Sequence, residues 1–326
     1  MGEYKKKLLV PDTIHRAGWE LLKSRPDIEV VAFSNEMSKS EFHALLGDAD
    51  AVALALTHMM APEIAAAPQL KAVGRIGVGY DGVDVSALTA RRIPLLVTGT
   101  ANSVSVAEHT LYFMLELVKR GRLMDQITRM GNWRERYANP PRELYGSTVL
   151  IVGFGRIGTR VAARCRAMEM TVLVYDPYVA AEKIATAGCE PMTDLDQALP
   201  RADFVTIHCP KNADTVGLFD APRLARMKRT AYLINTARGG IIDERALYAA
   251  LAEGGLGGAA LDVFEREPTP QDDPLLTLER LIVSPHAAGV TAEALERMSV
   301  TTIRNLLSVL DGHPERENVV NPEVLD

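Results

Sequence analysis

The sequence predicts an α/β protein built from two doubly wound parallel sheets, and three observations support this prediction. Short apolar runs alternate with helical stretches along most of the chain. The runs are rich in Val, Ile and Leu and lack polar alternation, as expected of strands that are buried on both faces. The chain has 326 residues, which is too long for one comfortable core and suits two domains. Strands and helices that alternate in this way form parallel sheets covered by helices.

The predicted strands form two series. Four runs in the first third are KKKLLV (5–10), IEVVAF (28–33), DAVALAL (50–56) and LKAVGRIGV (70–78). Six later runs are STVLIVG (147–153), MTVLVYD (170–176), DFVTIHC (203–209), TAYLIN (230–235), GGAALDVF (257–264) and RLIVSPH (280–286). Helices are predicted between them at Asn102 to Arg120, Arg156 to Met168 and Asp243 to Glu253. The stretch from Gly131 to Gly146 breaks the alternation and predicts an irregular arm.

Composition is that of an ordinary globular chain and argues against several classes of protein. A formal net charge of -6 does not favour a nucleic-acid surface, which needs a basic face. No apolar run reaches the length of a membrane span, and the N-terminal residues lack the apolar stretch of a signal peptide. The three cysteines, Cys165, Cys189 and Cys209, form no Cys-x-x-Cys pair. We therefore expect a cytoplasmic protein without a metal site.

The strongest local motif is the glycine loop VLIVGFGRIG. Gly153, Gly155 and Gly158 fit G-x-G-x-x-G between a predicted strand and a predicted helix. Such glycines permit a tight turn, the approach of a pyrophosphate and close packing of the helix, whose N-terminal N–H groups face the phosphates. Asp176 ends the next strand, 18 positions after Gly158. A carboxylate there accepts both ribose hydroxyls of an adenosine and repels a 2′-phosphate, so the motif predicts an NAD site rather than an NADP site.

The later strands deliver polar side chains to one edge of the predicted sheet, where ligands bind in open parallel sheets. The residues that follow those strands are His208, Pro210, Thr236, Arg238, Asp262, Glu265, Glu267 and His286. Reduction of a 2-keto acid needs a cation that grips the carboxylate, and Arg238 offers two parallel donors. It also needs a proton donor that titrates near neutrality, which favours His286. A carboxylate that orients the imidazole is either Glu265 or Glu267, and spacing alone does not choose between them.

These motifs together resemble the D-isomer-specific 2-hydroxyacid dehydrogenases, and the resemblance covers nearly the whole chain. The matching segments are GRIGVGYDGVD (74–84), NSVSVAEHT (102–110), VGFGRIG (152–158), NTARGG (235–240), ALDVFEREP (260–268) and SPHAAG (284–289). The family includes phosphoglycerate dehydrogenases and hydroxypyruvate or glyoxylate reductases. The resemblance implies an NAD-dependent oxidoreductase that transfers a hydride between NADH and a small 2-keto acid or D-2-hydroxy acid.

The resemblance also implies roles for individual residues. The family's glutamate just before the proline partners the histidine, which selects Glu267 over Glu265. The implied catalytic residues are Arg238, Glu267 and His286. The implied substrate-binding groups are the backbone N–H groups of Val78 and Gly79, with Arg238 and His286. The implied cofactor-binding residues are Gly153, Gly155, Arg156, Ile157, Gly158, Asp176, His208, Pro210, Thr215, Thr236, Ala237 and Asp262. Of these, Asp262 is expected to contact the nicotinamide amide.

The family fold implies that a Rossmann-like NAD domain is inserted into a flavodoxin-like substrate domain. The expected substrate domain comprises residues 1–99 and 293–326, and the expected NAD domain comprises residues 100–292. A long helix from about Thr291 to Leu310 is expected to return the chain to the first domain. The arm at Gly131 to Gly146 lies where family members form a twofold dimer, so a homodimer is expected. Closure of the cleft between the domains would exclude water from the hydride path.

Departures from the family bear on the substrate. Members that act on phosphoglycerate carry an arginine in the segment equivalent to ALALTHMMAPE (53–63), which here contains neither arginine nor lysine. We therefore expect an unphosphorylated substrate resembling glyoxylate or hydroxypyruvate. The alternative is that Arg75 replaces the family's arginine and binds a substrate phosphate. The sequence ends at Asp326, so one alternative is a phosphoglycerate dehydrogenase that lacks a regulatory domain. An alternative of another class is an NAD(H)-sensing, corepressor-like interaction protein, since such proteins keep the same catalytic residues.

Overall fold

The computed structural model describes residues 5–138 and 140–326, and the chain divides into two compact units. One unit comprises Met1–Asn102 and Val290–Asp326, and the other, Ser103–Gly289, is continuous and interrupts the first in sequence. Each unit contains one parallel sheet, which confirms the predicted fold class. The predicted arm includes Asn139, which lies outside the described residues. Among the described helices, none combines the length and the apolar character that crossing a membrane requires.

The first unit begins with a five-stranded sheet. Its strands are β1 (Lys6–Pro11), β2 (Ile28–Phe33), β3 (Ala51–Leu54), β4 (Ala72–Arg75) and β5 (Leu95–Leu96). The helices between them are α1 (Arg16–Lys23), α2 (Lys39–Leu46), α3 (Ala61–Ala65) and α4 (Val85–Ala90). The strand order is β2-β1-β3-β4-β5, with every neighbouring pair parallel. The sequence pattern did not predict β5, because two paired residues are too few to give a periodic signal.

The second unit contains a seven-stranded sheet. Its strands are β6 (Thr148–Val152), β7 (Thr171–Tyr175), β8 (Glu190–Met192), β9 (Phe204–Ile207), β10 (Tyr232–Asn235), β11 (Gly258–Leu261) and β12 (Leu281–Val283). Its helices are α5 (Ser103–Lys119), α6 (Gly121–Arg129), α7 (Gly158–Ala167), α8 (Ala181–Thr186), α9 (Leu195–Ala198), α10 (Ala221–Arg226) and α11 (Glu244–Ala252). The strand order is β12-β11-β10-β9-β6-β7-β8, and the sheet is again parallel throughout.

Both faces of the seven-stranded sheet are buried. On β6, Leu150 and Val152 belong to one hydrophobic cluster, whereas Val149 and Ile151 belong to another. A strand whose alternate residues enter two cores needs apolar side chains throughout, which is why the runs lack polar alternation. All ten predicted strands are present, but β8 was missed because Glu190 and Pro191 interrupt its apolar pattern.

The strand order reverses between β6 and β9, and this reversal positions the candidate site. The chain passes from β6 to β7 and β8 on one side, and then returns to place β9 on the other side of β6. The connections that leave the carboxyl ends of β6 and β9 therefore diverge and open a crevice, which is where open parallel sheets bind ligands. The glycine loop follows β6 and His208 follows β9.

The last helix, α12 (Ala292–Leu310), belongs to the first unit. Thr291 caps its N-terminus by accepting a hydrogen bond from the N–H of Ala294. Its apolar face packs beside the five-stranded sheet and includes the buried residues Ile303 and Leu306. The chain after α12 runs back along the sheet edge, where the N–H of Val320 donates to the carbonyl of Leu95.

Candidate active site

The glycine loop joins β6 to α7 and leaves open space beside its middle glycine. A Cβ at Gly158 would lie 2.0 Å from the carbonyl oxygen of Gly153, so only glycine lets the helix start this close to the strand. A Cβ at Gly155, by contrast, would meet nothing within 4 Å. Within the described part of the chain, the amides of Gly155 and Ile157 donate no hydrogen bond. Open space lined by free N–H groups at a helix N-terminus fits a pyrophosphate.

Asp176 follows β7, and two backbone N–H groups fix its carboxylate. The N–H of Phe154, in the glycine loop, donates to Oδ2 at 2.7 Å, and the N–H of Tyr178 donates to Oδ1 at 2.9 Å. Each carboxylate oxygen keeps a further lone pair that can accept a hydroxyl. These hydrogen bonds fix the position of Asp176 relative to the glycine loop. Arg156, which lies in the loop just before α7, is exposed.

The segment after β9 carries a neutral histidine and a closed loop. The Nε2 atom of His208 lies 2.9 Å from Oγ1 of Thr206. Its Nδ1 atom is buried and has no hydrogen-bond partner among residues 5–138 and 140–326. Burial lowers the pKa of His208 to about 3, so the imidazole is uncharged near neutrality. The following loop is closed by Thr215, whose hydroxyl donates to the carbonyl of Pro210 at 2.7 Å.

The turn after β10 carries Arg238 and is braced by the side chain of Asn235. The Asn235 Oδ1 accepts the N–H of Ala237 at 2.9 Å, and its Nδ2 donates to the carbonyl of Arg238 at 2.8 Å. Thr236 is buried, and its hydroxyl lies 3.0 Å from that of Thr110 on α5. The sequence reasoning did not identify Asn235, although a buried amide at the last position of a strand is a typical turn brace.

The arginine turn packs directly on the turn that carries Glu265 and Glu267. A Cβ at Gly239 would lie 1.8 Å from the carbonyl oxygen of Phe264, so the two backbones touch there. Glu267 accepts the N–H of Phe264 through Oε1 at 3.0 Å, and its Oε2 lies 2.7 Å from Nδ1 of His286. Because Nδ1 is engaged, Nε2 is the imidazole atom left to exchange a proton with a ligand.

The buried carboxylate of Asp262 holds the turn that carries His286, and its hydrogen bonds to residues 284–288 are called the bracket below. The backbone of His286 is in the left-handed region with φ 53°, and its N–H donates to the carbonyl of Asp262 at 2.8 Å. The Asp262 side chain is 1% exposed and accepts the hydroxyl of Ser284 and the N–H groups of Ala287 and Ala288 at 2.7 and 2.9 Å. A left-handed histidine costs free energy and persists only where its surroundings fix it. These bonds fix it.

A second histidine, missed by the sequence reasoning, extends this network. The Nε2 atom of His109, on α5, lies 3.0 Å from Oγ of Ser284. Because the Ser284 hydroxyl donates its proton to Asp262, it must accept from His109, which fixes the Nε2–H tautomer of that imidazole. Burial lowers the pKa of His109, although the charge of Asp262 opposes the shift. His109 is therefore a neutral support for the bracket.

Glu265 contacts a different partner from Glu267. Its N–H donates to Oε1 of Glu244, the first residue of α11, at 2.6 Å, and the N–H of Glu244 faces Oε1 of Glu265 at 3.4 Å. Burial raises the pKa of Glu244 to about 7, and the charges of Glu265, Asp273 and Glu267 add to the effect. The sequence reasoning also missed Glu244, which resembles an ordinary acid at a helix start.

Val78 and Gly79 lie in the other unit, in the turn after β4. Neither amide donates a hydrogen bond to the residues that the structure describes. Arg75 braces this turn from below, since its Nε donates to the carbonyl of Gly79 at 3.0 Å and its Nη1 donates to the carbonyls of Leu54 and Ala55. The turn therefore presents two N–H donors, whereas the guanidinium of Arg75 is engaged by backbone carbonyls.

Known proteins that are similar to this chain identify its family. A family model, the NAD-binding domain of the D-isomer specific 2-hydroxyacid dehydrogenases, matches residues 111–288. A D-3-phosphoglycerate dehydrogenase from Methanocaldococcus jannaschii is 38% identical over 97% of this chain, which spans 59% of that protein. A glyoxylate reductase from Thermofilum pendens is 38% identical over 98% of this chain and is covered over 95% of its own length.

Solved structures similar to this chain include a member of the same kind. A glyoxylate reductase from Paecilomyes thermophila matches with a TM-score of 0.87 and 27% identity, covering 98% of this chain and 100% of that one. The chain spans about three fifths of the length of the phosphoglycerate dehydrogenases it matches, whereas it spans nearly all of the glyoxylate reductases. On the family model and these full-length relatives, the chain belongs to the D-isomer specific 2-hydroxyacid dehydrogenase family.

Proposed function

We propose that the protein is an NAD-dependent oxidoreductase that reduces a small, unphosphorylated 2-keto acid to the D-2-hydroxy acid. Glyoxylate and hydroxypyruvate are the favoured substrates. The observation that carries the proposal is the 2.7 Å contact between Glu267 and His286. The turn that carries Glu267 also packs on Gly239, the residue that follows Arg238. Reduction of a 2-keto acid requires two groups: a cation that binds the substrate carboxylate, and an imidazole that an acidic side chain of the protein orients.

The residues around the glycine loop fit NAD. The open space at Gly155 and the unengaged amides of Gly155 and Ile157 suit the pyrophosphate. The fixed carboxylate of Asp176 suits the ribose hydroxyls and repels a 2′-phosphate. The remaining proposed contacts are made by Gly153, Arg156, Gly158, His208, Pro210, Thr215, Thr236, Ala237 and Asp262. Bound NADH supplies the hydride.

His286 supplies the proton in this proposal. Its Nδ1–H donates to Glu267, which stabilises the positive charge of the imidazolium and leaves Nε2–H directed away from the pair. Transfer of that proton to the carbonyl oxygen of the substrate balances the arriving hydride and yields the hydroxyl. A positioned acid of this kind accelerates such steps by about 10²–10⁴.

Arg238 binds the substrate carboxylate and polarises the carbonyl, with the N–H groups of Val78 and Gly79 as further donors. Planar guanidinium groups bind carboxylates through two parallel hydrogen bonds, which fixes orientation as well as position. Support comes from the brace that Asn235 provides to the Arg238 backbone. Support also comes from the unengaged amides of the Val78–Gly79 turn.

The preference for an unphosphorylated acid rests on charge. Residues 53–63 contain no arginine or lysine, and the guanidinium of Arg75 already donates to the carbonyls of Leu54, Ala55 and Gly79. A phosphate dianion would lose its hydration without gaining a cation from these residues. The similar proteins include both phosphoglycerate dehydrogenases and glyoxylate reductases, so substrate choice needs a direct test.

The test is NADH oxidation with glyoxylate, hydroxypyruvate, pyruvate, phenylpyruvate and phosphohydroxypyruvate, with NADPH in parallel. We expect the highest kcat/KM for one unphosphorylated acid with NADH. We also expect Arg238→Ala to lower kcat/KM by about a hundredfold, since two charge-assisted hydrogen bonds are lost, with NADH affinity unchanged. The exposed Arg245 provides the control Arg245→Ala. A preference for phosphohydroxypyruvate would overturn the substrate assignment, and inactivity toward every acid would overturn the reaction.

We further propose a cytoplasmic homodimer. The arm exposes Trp133 and Tyr137 at 61% and 72%, and Arg136 lies 4.7 Å from the Tyr137 ring centroid. Exposed aromatic groups with an arginine are typical of protein interfaces. Sedimentation equilibrium should give twice the chain mass for the protein and the monomer mass for a Trp133→Glu, Tyr137→Glu double variant. A monomeric wild-type protein would contradict this assignment.

A further inference from the structure

The turn that carries Glu267 is held from behind by α11. The N–H of Glu265 donates to Oε1 of Glu244 at 2.6 Å, which is short for an N–H···O bond. In the opposite direction, the N–H of Glu244 faces Oε1 of Glu265 at 3.4 Å. The pair thus joins the first turn of α11 to the residue two positions before Glu267, at a point where backbone N–H groups would otherwise lack a partner.

This link acts on the part of the turn that determines where the Glu267 carboxylate lies. The turn is fixed at one point by contact of the Phe264 carbonyl with Gly239, and at another by the bond from the Phe264 N–H to Glu267. The packing against Gly239 also reaches the backbone nitrogen of Glu265, and Glu244 accepts the hydrogen of that N–H group. We propose that Glu244 is a positioning residue that holds Glu265 and thereby keeps Glu267 against the imidazole of His286. The inference rests on the proposed function of that pair.

The charges around Glu244 give the link a second effect. The turn presents Glu265 and Glu267, the segment after it presents Asp273, and α11 itself carries Asp243 and Arg245. The ammonium group of Lys211 lies beside Gly240, on the same side as the side chain of Glu265. Burial and the three neighbouring carboxylates raise the pKa of Glu244 to about 7.

Because its pKa is raised, Glu244 changes charge within the neutral pH range. Well below a pH of about 7 the Glu244 carboxyl is mostly protonated, and its Oε1 still accepts the N–H of Glu265. Well above that pH it is mostly ionised and adds a negative charge behind Glu267. A negative charge there favours the protonated form of the His286 imidazole. Glu244 therefore extends proton donation by His286 toward alkaline pH.

Two substitutions separate the hydrogen bond from the charge. Glu244→Gln keeps an oxygen that accepts the Glu265 N–H but cannot ionise, whereas Glu244→Ala removes both. Glu253→Gln is the matched control, because it removes an exposed acid from the far end of the same helix. For each variant, kcat and KM for the preferred keto acid are measured from pH 5.5 to 9.5. The His286 imidazole is titrated by NMR, its signal assigned with His286→Gln.

For Glu244→Gln we expect wild-type kcat at pH 6, where wild-type Glu244 is also protonated. Its alkaline limb and the midpoint of the His286 titration should move down by about half a pH unit. For Glu244→Ala we expect kcat to fall about tenfold across the whole range, because a displaced acid loses part of its contribution, while NADH affinity stays unchanged. Glu253→Gln should match the wild type in every measurement.

Two results would overturn the inference. The first is a Glu244→Ala variant that melts at a lower temperature yet keeps kcat, the alkaline limb and the His286 titration of the wild type; Glu244 would then only stabilise the fold. The second is a Glu244→Gln variant as impaired at pH 6 as Glu244→Ala. If no keto acid is reduced even by the wild type, the proposed function fails separately, and the NMR titration still tests whether Glu244 acts on His286.

Discussion

The glycine loop after β6 and the histidine turn after β12 lie at the same edge of one sheet, but they are held by opposite means. The glycine loop depends on absent side chains: a Cβ at Gly158 would meet the Gly153 carbonyl at 2.0 Å. The histidine turn depends on added hydrogen bonds, since Asp262 alone accepts three donors from residues 284–288. The first region should therefore fail when atoms are added, and the second when a single partner is removed.

The largest expected effect concerns the end of the second region. His286→Gln should lower kcat about a thousandfold, because the variant has no group that releases a proton near neutrality. NADH affinity and the melting temperature should stay close to those of the wild type, since the exposed imidazole contributes little packing. Steady-state kinetics and fluorescence titration with NADH measure the two quantities, with the exposed His313→Gln as control. A loss smaller than tenfold would remove His286 from the role of acid.

The next largest effect separates the glycines of the first region. Gly155→Ala should weaken NADH binding on the order of a hundredfold, about 2.7 kcal/mol, because its methyl group enters the space proposed for the pyrophosphate. It should leave the melting temperature unchanged, since that methyl group meets no protein atom within 4 Å. Gly158→Ala should weaken binding and also lower the melting temperature, because its methyl group meets the Gly153 carbonyl. Calorimetry and fluorescence titration distinguish the two variants.

Equal destabilisation by Gly155→Ala and Gly158→Ala would mean that the first region is not held by close packing. Unchanged NADH affinity in Gly155→Ala would mean that the pyrophosphate does not occupy the space beside that glycine. Either result would weaken the contrast between the two regions, because the glycine loop would no longer be the part of the site that fails through added atoms.

The same contrast explains what the sequence could predict. The glycine loop is local, so its spacing alone predicted the strand, the turn, the helix and the acid at Asp176, and the buried runs predicted the fold class. The histidine turn is assembled from segments far apart in sequence. Spacing therefore did not separate Glu265 from Glu267, and it did not predict that Glu244 contacts the first of them. His109, 175 positions from Ser284, gave no signal at all, because a lone histidine on an amphipathic helix resembles core packing.

A smaller effect tests the bracket itself. Asp262→Asn keeps the shape of the side chain but replaces one acceptor oxygen with an NH₂ donor. Where this group replaces Oδ2, it faces the N–H of Ala288, and where it replaces Oδ1, it faces the Ser284 hydroxyl and the N–H of Ala287. A buried donor without an acceptor costs about 1–3 kcal/mol, so the melting temperature should fall. We expect kcat to fall about tenfold as the His286 backbone relaxes. Asp220→Asn, at the N-cap of α10, is the control, and an unchanged kcat would show that the bracket does not position His286.

The smallest effect belongs to His208, which lies beside the first region because its N–H donates to the carbonyl of Val152 just before the glycine loop. Its folded-state pKa of about 3 is below the ordinary value near 6.5. Between these two pH values, His208 is protonated in the unfolded chain but not in the folded protein. The free energy of unfolding should therefore fall as pH drops from about 6.5, by at most about 1.4 kcal/mol per pH unit from this group.

Substitution of His208 isolates this contribution from the titration of the carboxylates, which every variant shares. His208→Gln removes the imidazole whose protonation differs between the folded and the unfolded state. The unfolding free energy of this variant should therefore depend less steeply on pH between 6 and 4 than that of the wild type. Urea unfolding at several pH values measures the slopes, and His313→Gln, which changes an exposed histidine, should keep the wild-type slope. Parallel curves for His208→Gln and the wild type would mean that His208 titrates alike in both states. The buried, unpartnered Nδ1 would then be open to solvent, and a neutral imidazole beside the glycine loop would no longer be a fixed feature of the site.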